Sequence, residues 1–254
     1  MANEFTNFIA KQMTQKEAVK ENMSKIKNKI GVYSAKGGVG KTTVAINLAY
    51  TLKEKGFKVG LLDADIDCPN VPLFLNMNKI YLEEIKPIEF NGVYILSTSF
   101  FTDDEKRPII WRGPLIAKMV DEFLEHAQWP ELDYLIVDLP PGTSDAPLSL
   151  MQLLDLNGFL LVTTPQRIAA INTIRSGLMA KRLNMHIYGV IENMSSNEPK
   201  GALEVAKSLD CKFLGSIREN KKISELEDSG KIPVIEDNEI KKEFENIANK
   251  LLGV

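Results

Sequence analysis

A chain of 254 residues, 44% of them apolar, is long enough for one large domain or two small ones around a sizeable core. Its formal net charge of −3 argues against indiscriminate binding of nucleic acid, although a local basic patch would still permit some. The sequence contains neither a membrane span of about 18 apolar residues nor the apolar core of a secretory signal. The two cysteines, Cys68 and Cys211, cannot build a disulfide framework, so a reducing, cytoplasmic location is expected.

The first predicted elements are a polar lead-in at residues 1–28 and a short buried strand at 30–33. A loop follows at 34–43, with the sequence Ser-Ala-Lys-Gly-Gly-Val-Gly-Lys-Thr-Thr. Apolar residues then recur at helical spacing until Gly56 stops the pattern. The glycines therefore lie between a strand and a helix, which is the context that a phosphate-binding loop requires.

Three glycines within four residues let the loop backbone turn its N–H groups toward one anion, and the helix N-terminus adds about half a positive charge. Lys41 can then reach the β- and γ-phosphates of a nucleotide, and the Thr42 hydroxyl can ligate Mg²⁺. Ala35 stands where the Walker A pattern has its first glycine, so a glycine-rich turn with an incidental lysine is the alternative. The predicted nucleotide-binding residues of the loop are Lys36, Gly37, Gly38, Val39, Gly40, Lys41, Thr42 and Thr43.

Three acidic residues, Asp63, Asp65 and Asp67, end or follow the second predicted strand at 58–63. Carboxylates after a buried strand are costly unless they meet a cation or solvent. We predict that Asp65 lies near the γ-phosphate and orients the attacking water, while Asp63 hydrogen-bonds the neighbouring loop. The alternative is a solvated acidic loop without a ligand.

A later strand, predicted at 134–138, has the character of a Walker B strand because an apolar run ends in Asp138. Such an acid can hold Mg²⁺, in many sites through water. Gly142 follows closely and can bring its backbone N–H to a γ-phosphate, as switch segments do. A strand-end aspartate alone is weak evidence for a Walker B strand. The loop at 36–43 is what makes this prediction for Asp138 strong.

Short apolar runs alternate with helical patterns along the rest of the chain, and two helices are predicted to begin at Gly113 and Ser144. The runs are continuous rather than alternating, which is typical of strands covered on both faces. We predict an α/β fold with a mostly parallel sheet, helices on both faces and one domain at 29–254. In such sheets, ligands bind at the carboxyl ends of the strands. The remaining predicted strands are 93–98, 159–163, 187–192 and 212–215.

Together these stretches resemble the Mrp/ApbC-type iron–sulfur cluster carrier ATPases, a branch of the MinD-like P-loop superfamily. The loop at 36–43 is similar to the deviant Walker A loop of MinD/ParA-like ATPases and of the nitrogenase iron protein. Trp111-Arg112-Gly113-Pro114 and Glu192-Asn193-Met194-Ser195 point to the carrier branch in particular. The stretches that carry the resemblance are 36–43, 62–66, 111–114, 133–143, 162–166 and 189–195.

The resemblance implies a homodimer that binds ATP and Mg²⁺ and hydrolyses ATP slowly. It implies that Lys36 crosses the dimer interface to the partner's nucleotide, with Lys41 and Asp65 also catalytic and Asp138 at the metal. Asn193 would hydrogen-bond the adenine, since an amide carries both a donor and an acceptor. The alternative for Asn193 is an ordinary turn residue at a strand end.

The sequence departs from that family where cluster binding is concerned. Carriers of this type place Cys-x-x-Cys just after the Glu-Asn-Met-Ser stretch, so that two subunits supply four thiolates to a 4Fe–4S cluster. Residues 195–201 contain no cysteine, and hydroxyls are poor substitutes for soft thiolates. A bound cluster is therefore doubtful. Cys68 is a speculative ligand that could meet its twin across a dimer, and a packed side chain is the alternative.

The function predicted from the sequence is a cytoplasmic, homodimeric ATPase of the Mrp type, linked to iron–sulfur cluster assembly and its client proteins. The alternative is a ParA/MinD-like partitioning or positioning ATPase that acts on DNA or membrane. We expect no stable binding to nucleic acid or membrane. The apolar stripe of the tail, 240–252, favours a helix docked on the sheet over a membrane-surface helix, because its basic bias is slight.

Overall fold

The computed structural model describes residues 19, 21–66, 68–77, 80, 82, 84–101, 125–142, 147, 150–151, 153–196 and 198–254. The predicted helix start at Gly113, the Trp111–Pro114 stretch and the predicted cap at Ser144 lie outside these residues.

Strands of the described residues form one eight-stranded sheet in the order β3-β4-β2-β5-β1-β6-β7-β8. β3 pairs with β4 in antiparallel fashion, and every other pair is parallel. The strands are β1 Ile26–Tyr33, β2 Val59–Asp63, β3 Ile88–Phe90, β4 Val93–Ser97, β5 Leu132–Asp138, β6 Gly158–Thr163, β7 Ile187–Ser195 and β8 Phe213–Arg218.

Helices of the described residues connect and cover these strands. They are α1 Lys41–Glu54, α2 Val71–Phe74, α3 Arg167–Arg182, α4 Gly201–Leu209, α5 Lys221–Asp228, α6 Pro233–Glu236 and α7 Asn238–Leu252. A short 3₁₀ turn, Thr98–Phe101, follows β4. Among the described residues, no helix has the length and apolar character that crossing a membrane requires.

Two apolar cores, one on each face of the sheet, hold the layers together. The first contains the buried side of α1 and of α7, and the second contains that of α3 and α4. In α7, Ile240, Phe244 and Ile247 are buried against β8 and α1. The tail is therefore a helix docked on the sheet, as predicted, and the predicted α/β fold is confirmed.

The topology fixes where a ligand can bind. β1 lies at the centre of the sheet, with β5 and β2 on one side and β6 on the other. The chain therefore turns to opposite sides of the sheet after β1 and after β5, which opens a crevice at the carboxyl ends of the central strands. The loop after β1 and the acidic ends of β2 and β5 all meet at this crevice.

The structure differs from the predicted elements in two places. β1 begins at Ile26, so strand pairing reaches into the predicted lead-in, and Val19 and Met23 pack in the second core. β3 was not predicted; it forms a hairpin with β4 through Asn91 and Gly92, which both have positive φ. An Asn-Gly pair is the turn that such hairpins prefer, so the sequence did carry a signal.

Candidate nucleotide-binding site

The glycine loop joins β1 to α1, as predicted, and leaves the start of the helix open. Gly40, with φ 78°, is the residue before the helix, and no side chain caps it. The first helical hydrogen bond runs from Val44 N–H to Gly40 C=O, at 3.0 Å. The N–H groups of residues 41–43 therefore have no helical partner, and they form a ready site for an anion.

Lys41, Thr42 and Asp138 come together beneath this loop. The Lys41 ammonium donates to Asp138 Oδ1, and the Thr42 hydroxyl donates to Asp138 Oδ2 at 2.7 Å. Both members of the ion pair are buried. Residues from the loop and from the Walker B strand, 97 positions apart, thus lie in contact, and their predicted roles toward phosphate and Mg²⁺ stay predictions.

This pair of oxygens fits Mg²⁺, which prefers hard oxygen ligands and takes few of them from the protein. One hydroxyl and one carboxylate oxygen lie within hydrogen-bond distance on two different elements. Thr42 and Asp138 would hold the ion, and Mg²⁺ would neutralise phosphate charge when it is bound.

Asp63 is the second buried carboxyl of the crevice and lies level with Asp138 on the neighbouring strand. Burial, followed by the charge of Asp138, holds the pKa of Asp63 well above its usual range. Asp63 accepts hydrogen bonds from Val71 N–H at 3.1 Å and Ser97 Oγ at 3.2 Å. It therefore fixes the neighbouring loops, as predicted.

Asp65 is buried rather than solvated. Its backbone N–H donates to Asp63 Oδ1 at 3.3 Å, and its Oδ1 accepts from Cys68 N–H at 3.2 Å. The carboxylate therefore holds the turn after β2 in place, and its predicted role toward the attacking water stays a prediction. Cys68 itself is exposed, which rules out the alternative of a packed side chain.

Gly142 lies directly against the start of the loop. Its N–H donates to Ser34 C=O at 3.1 Å, and its own carbonyl accepts from the Tyr33 hydroxyl. Contact between this N–H and a γ-phosphate, which the sequence predicted, requires the bond to Ser34 to open. The two bonds tie the segment after β5 to the segment after β1.

Asn193, at the end of β7, has a contact that the sequence did not suggest. Its Nδ2 donates to Val39 C=O at 2.9 Å, and the residue is only 5% exposed. A Cβ on Gly40 would lie 2.1 Å from the same Nδ2. Asn193 therefore supports the loop from below, and its predicted contact with adenine stays a prediction.

We expect Gly40→Ala to weaken ATP binding by about 10- to 100-fold, because alanine strains a left-handed backbone and displaces Asn193. The affinity is measured by calorimetry in the presence of Mg²⁺. Gly56→Ala is the matched control, since Gly56 has φ +91° but open space around its Cβ and lies outside the loop. Equal affinity of wild type and Gly40→Ala would contradict the supporting role of Asn193.

Lys36 stands apart from these buried groups. Its side chain is exposed and makes no ion pair with any residue that the structure describes. Its carbonyl accepts from Ser34 Oγ at 2.9 Å, which fixes the backbone at this position. Lys36 is thus the exposed lysine of the loop, whereas Lys41 is the buried one.

Two contacts from the C-terminal third of the chain to α1 were not predicted from the sequence. Glu227 on α5 accepts from Thr43 Oγ1 at 3.1 Å. Asn47 on α1 accepts from Val234 N–H at 3.0 Å and donates to Thr43 C=O at 2.9 Å. No spacing or motif predicts the contact of Glu227, because the helix that contains it is rich in charged residues and resembles a solvent-exposed helix.

A family model described as "ParA: NUBPL iron-transfer P-loop NTPase" matches residues 25–252. The chain belongs to this family. The resemblance to iron–sulfur carrier ATPases that the loop and strand ends predicted is therefore confirmed.

Individual relatives agree with the family assignment. An iron–sulfur cluster carrier protein of Methanocaldococcus jannaschii is 39% identical over 95% of this chain and 90% of its own length. A nucleotide-binding protein of Archaeoglobus fulgidus in complex with ADP is 34% identical, with TM-score 0.71, over 85% of this chain and 92% of that chain. MinD of Pyrococcus horikoshii, complexed with Mg-ADP, shares the fold at 23% identity, with TM-score 0.69 over 89% of this chain and 96% of that one.

Proposed function

We propose that this iron-transfer P-loop NTPase binds Mg-ATP in the loop at 36–43 and hydrolyses it slowly. The observation that carries the proposal is the buried contact of Lys41 and Thr42 with Asp138 beneath an open helix N-terminus. In this role Lys41 binds the β- and γ-phosphates, and the free N–H groups of the loop bind phosphate oxygens. Magnesium-dependent release of phosphate from ATP by the purified chain tests it directly.

In the proposed cycle two copies meet face to face on ATP, and Lys36 of each copy reaches the nucleotide of the other. The exposure of Lys36 and its lack of an ion partner among the described residues support a target outside its own chain. Asp65 would orient the attacking water from the turn after β2. The dimer would then change its shape according to whether ATP or ADP is bound, and this change of shape would be the functional result of hydrolysis.

The positions of the two cysteine thiols limit how the chain could bind an iron–sulfur cluster as its cargo. Cys68 follows β2 at the carboxyl edge of the sheet, whereas Cys211 precedes β8 at the opposite edge. Five strand spacings separate β2 from β8, which is about 24 Å across the sheet. One chain therefore cannot bring both thiols to one cluster, and burial also raises the pKa of the Cys211 thiol.

A dimer joined at the carboxyl edge offers at most two Cys68 thiolates, whereas a 4Fe–4S cluster takes four. We infer that an iron–sulfur cargo is shared with a thiol donor from outside the chain, either a client protein or a small thiol. The chain then acts as the ATP-driven partner in assembly or transfer and does not hold the cluster alone.

Anaerobic reconstitution with iron and sulfide tests whether an outside thiol donor is needed for the chain to hold a cluster. We expect the desalted protein to retain little iron, because its own thiolates cannot complete the coordination. With a small dithiol present, iron and sulfide should be retained at up to about one cluster per dimer, and Cys68→Ser should abolish the retention. ATP turnover of Cys68→Ser should equal that of wild type.

Two results would contradict the cargo proposal. One is a stable cluster on Cys68→Ser, which would require other ligands. The other is the absence of iron under every condition together with ATP-dependent binding to DNA or to lipid vesicles. That second result would favour the ParA/MinD-like alternative.

A further inference from the structure

Glu227 is a half-buried side chain that the predicted nucleotide chemistry does not use. Its Oε2 accepts from Thr43 Oγ1 at 3.1 Å, across 184 positions of the chain. Its Oε1 is buried and has no hydrogen-bond partner among the residues that the structure describes. An ionised carboxylate with an unpaired buried oxygen is costly, so this arrangement favours the neutral acid.

The partner of Glu227 sits in the nucleotide loop. Thr43 is the last residue of the predicted loop and the third residue of α1, directly after Lys41 and Thr42. Asn47 binds Val234 one turn further along the same helix. The segment that contains α5 and α6 therefore holds the first two turns of α1 at two points, and Glu227 is the point nearer the phosphates.

No cation of the described residues is paired with Glu227. Burial raises the pKa of Glu227 to about 7, the Thr43 hydrogen bond opposes the rise, and the charge of Asp228 adds to it. On α1, the ammonium of Lys41 is already paired with Asp138. On α6, Glu236 lies 3.9 Å from Lys231. None of these cations forms an ion pair with Glu227 within the described residues.

We propose that Glu227 is a positioning residue of the nucleotide site, which holds the Thr43 hydroxyl in its neutral form and weakens ATP binding when it ionises. The inference rests on the proposed function, because it needs a triphosphate in the loop at 36–43. A carboxylate one hydrogen bond from Thr43 would add negative charge beside a polyanion, and like charges repel more strongly in a partly buried site than in water.

The direction in which the ATP affinity changes with pH follows from the coupling between nucleotide binding and protonation of Glu227. Below about pH 7 Glu227 is neutral with or without nucleotide, so the affinity is constant. Above it, the free protein loses the proton and must take one up to bind, so the affinity falls as pH rises. The loss is at most about tenfold for each pH unit above the pKa of the free protein.

Calorimetric titration of the full chain with Mg²⁺ and the nonhydrolysable analogue AMP-PNP, at about pH 6 and about pH 8, tests the inference. Wild type should bind about three- to tenfold more weakly at the higher pH. Glu227→Gln keeps the shape and an oxygen acceptor for Thr43, so it should bind equally at both values and match wild type at the lower one. Glu227→Ala should bind more weakly at both, because Thr43 loses its partner.

Asp228→Asn is the matched control, since it removes the neighbouring exposed carboxylate and should keep a pH dependence of the wild-type kind. Titration of the nucleotide itself changes the affinity of every variant by the same factor, and the expected changes with pH are those that remain after this shared factor is divided out. A Glu227→Gln variant that keeps the full wild-type pH dependence, or binds no better than Glu227→Ala at about pH 6, would overturn the inference alone. Wild type that binds no analogue at either pH would overturn the proposed function as well.

Discussion

Lys36→Ala is expected to bind ATP as wild type does while its turnover falls by roughly 10³- to 10⁵-fold, the usual contribution of a cation supplied in trans. This loss corresponds to about 4–7 kcal/mol in the barrier. Binding survives because Lys36 is exposed and its carbonyl bond from Ser34 does not depend on the side chain. Calorimetry with ATP analogue and single-turnover phosphate release measure the two effects separately.

A mixing experiment shows whether Lys36 acts across the interface. Lys36→Ala retains Asp65, which we propose orients the attacking water, whereas Asp65→Asn retains the donor Lys36. Both variants keep Lys41 and can therefore bind the ATP that brings two copies together. In a mixture, half of the dimers carry one complete site out of two, so about a quarter of wild-type turnover should return from two inactive variants. Lys86→Ala, an exposed lysine paired with Glu84, is the single-variant control. Hydrolysis at the wild-type rate by Lys36→Ala alone would refute the role in trans.

Lys41→Ala is expected to lose nucleotide binding itself, by about 100-fold or more, because charge-assisted bonds to two phosphates disappear. It should also destabilise the fold, since Asp138 is left buried without its cation, and breaking such a pair costs about 3–5 kcal/mol. Calorimetry gives the affinity, and chemical denaturation gives the free energy of unfolding.

The matched control for Lys41→Ala is Lys27→Ala, which removes an exposed ion pair with Asp133 elsewhere on β1 and β5. We expect that control to change the stability by at most about 1 kcal/mol and leave ATP affinity untouched. A Lys41→Ala protein with the affinity of wild type would contradict the assignment of the loop.

Much of the fold and of the site could be predicted because it depends on local patterns. A continuous apolar run, a glycine loop and a helix with Lys41 and Thr42 at its start specify one supersecondary unit. Parallel strands then bring Asp63 and Asp138, each at a strand end, to the same edge of the sheet. No long-range information was needed to place these residues together.

Other features could not be predicted, for physical reasons that differ from residue to residue. The exposure of Cys68 depends on how the turn after β2 closes around Asp65. The bond from Asn193 to Val39 depends on how close β7 brings its end to the loop. In each case a side chain could satisfy its hydrogen bonds in several ways, and only the packed neighbours select one.

Residue type and short spacing were enough to specify the α/β architecture, the phosphate-binding loop and the absence of a cysteine pair at 195–201. The positions of Cys68 and Cys211 at opposite edges of the sheet, and the contact of Glu227 with Thr43, became visible only in the folded chain. Contacts between residues so distant in the chain depend on strand order and helix docking, and no local pattern encodes them.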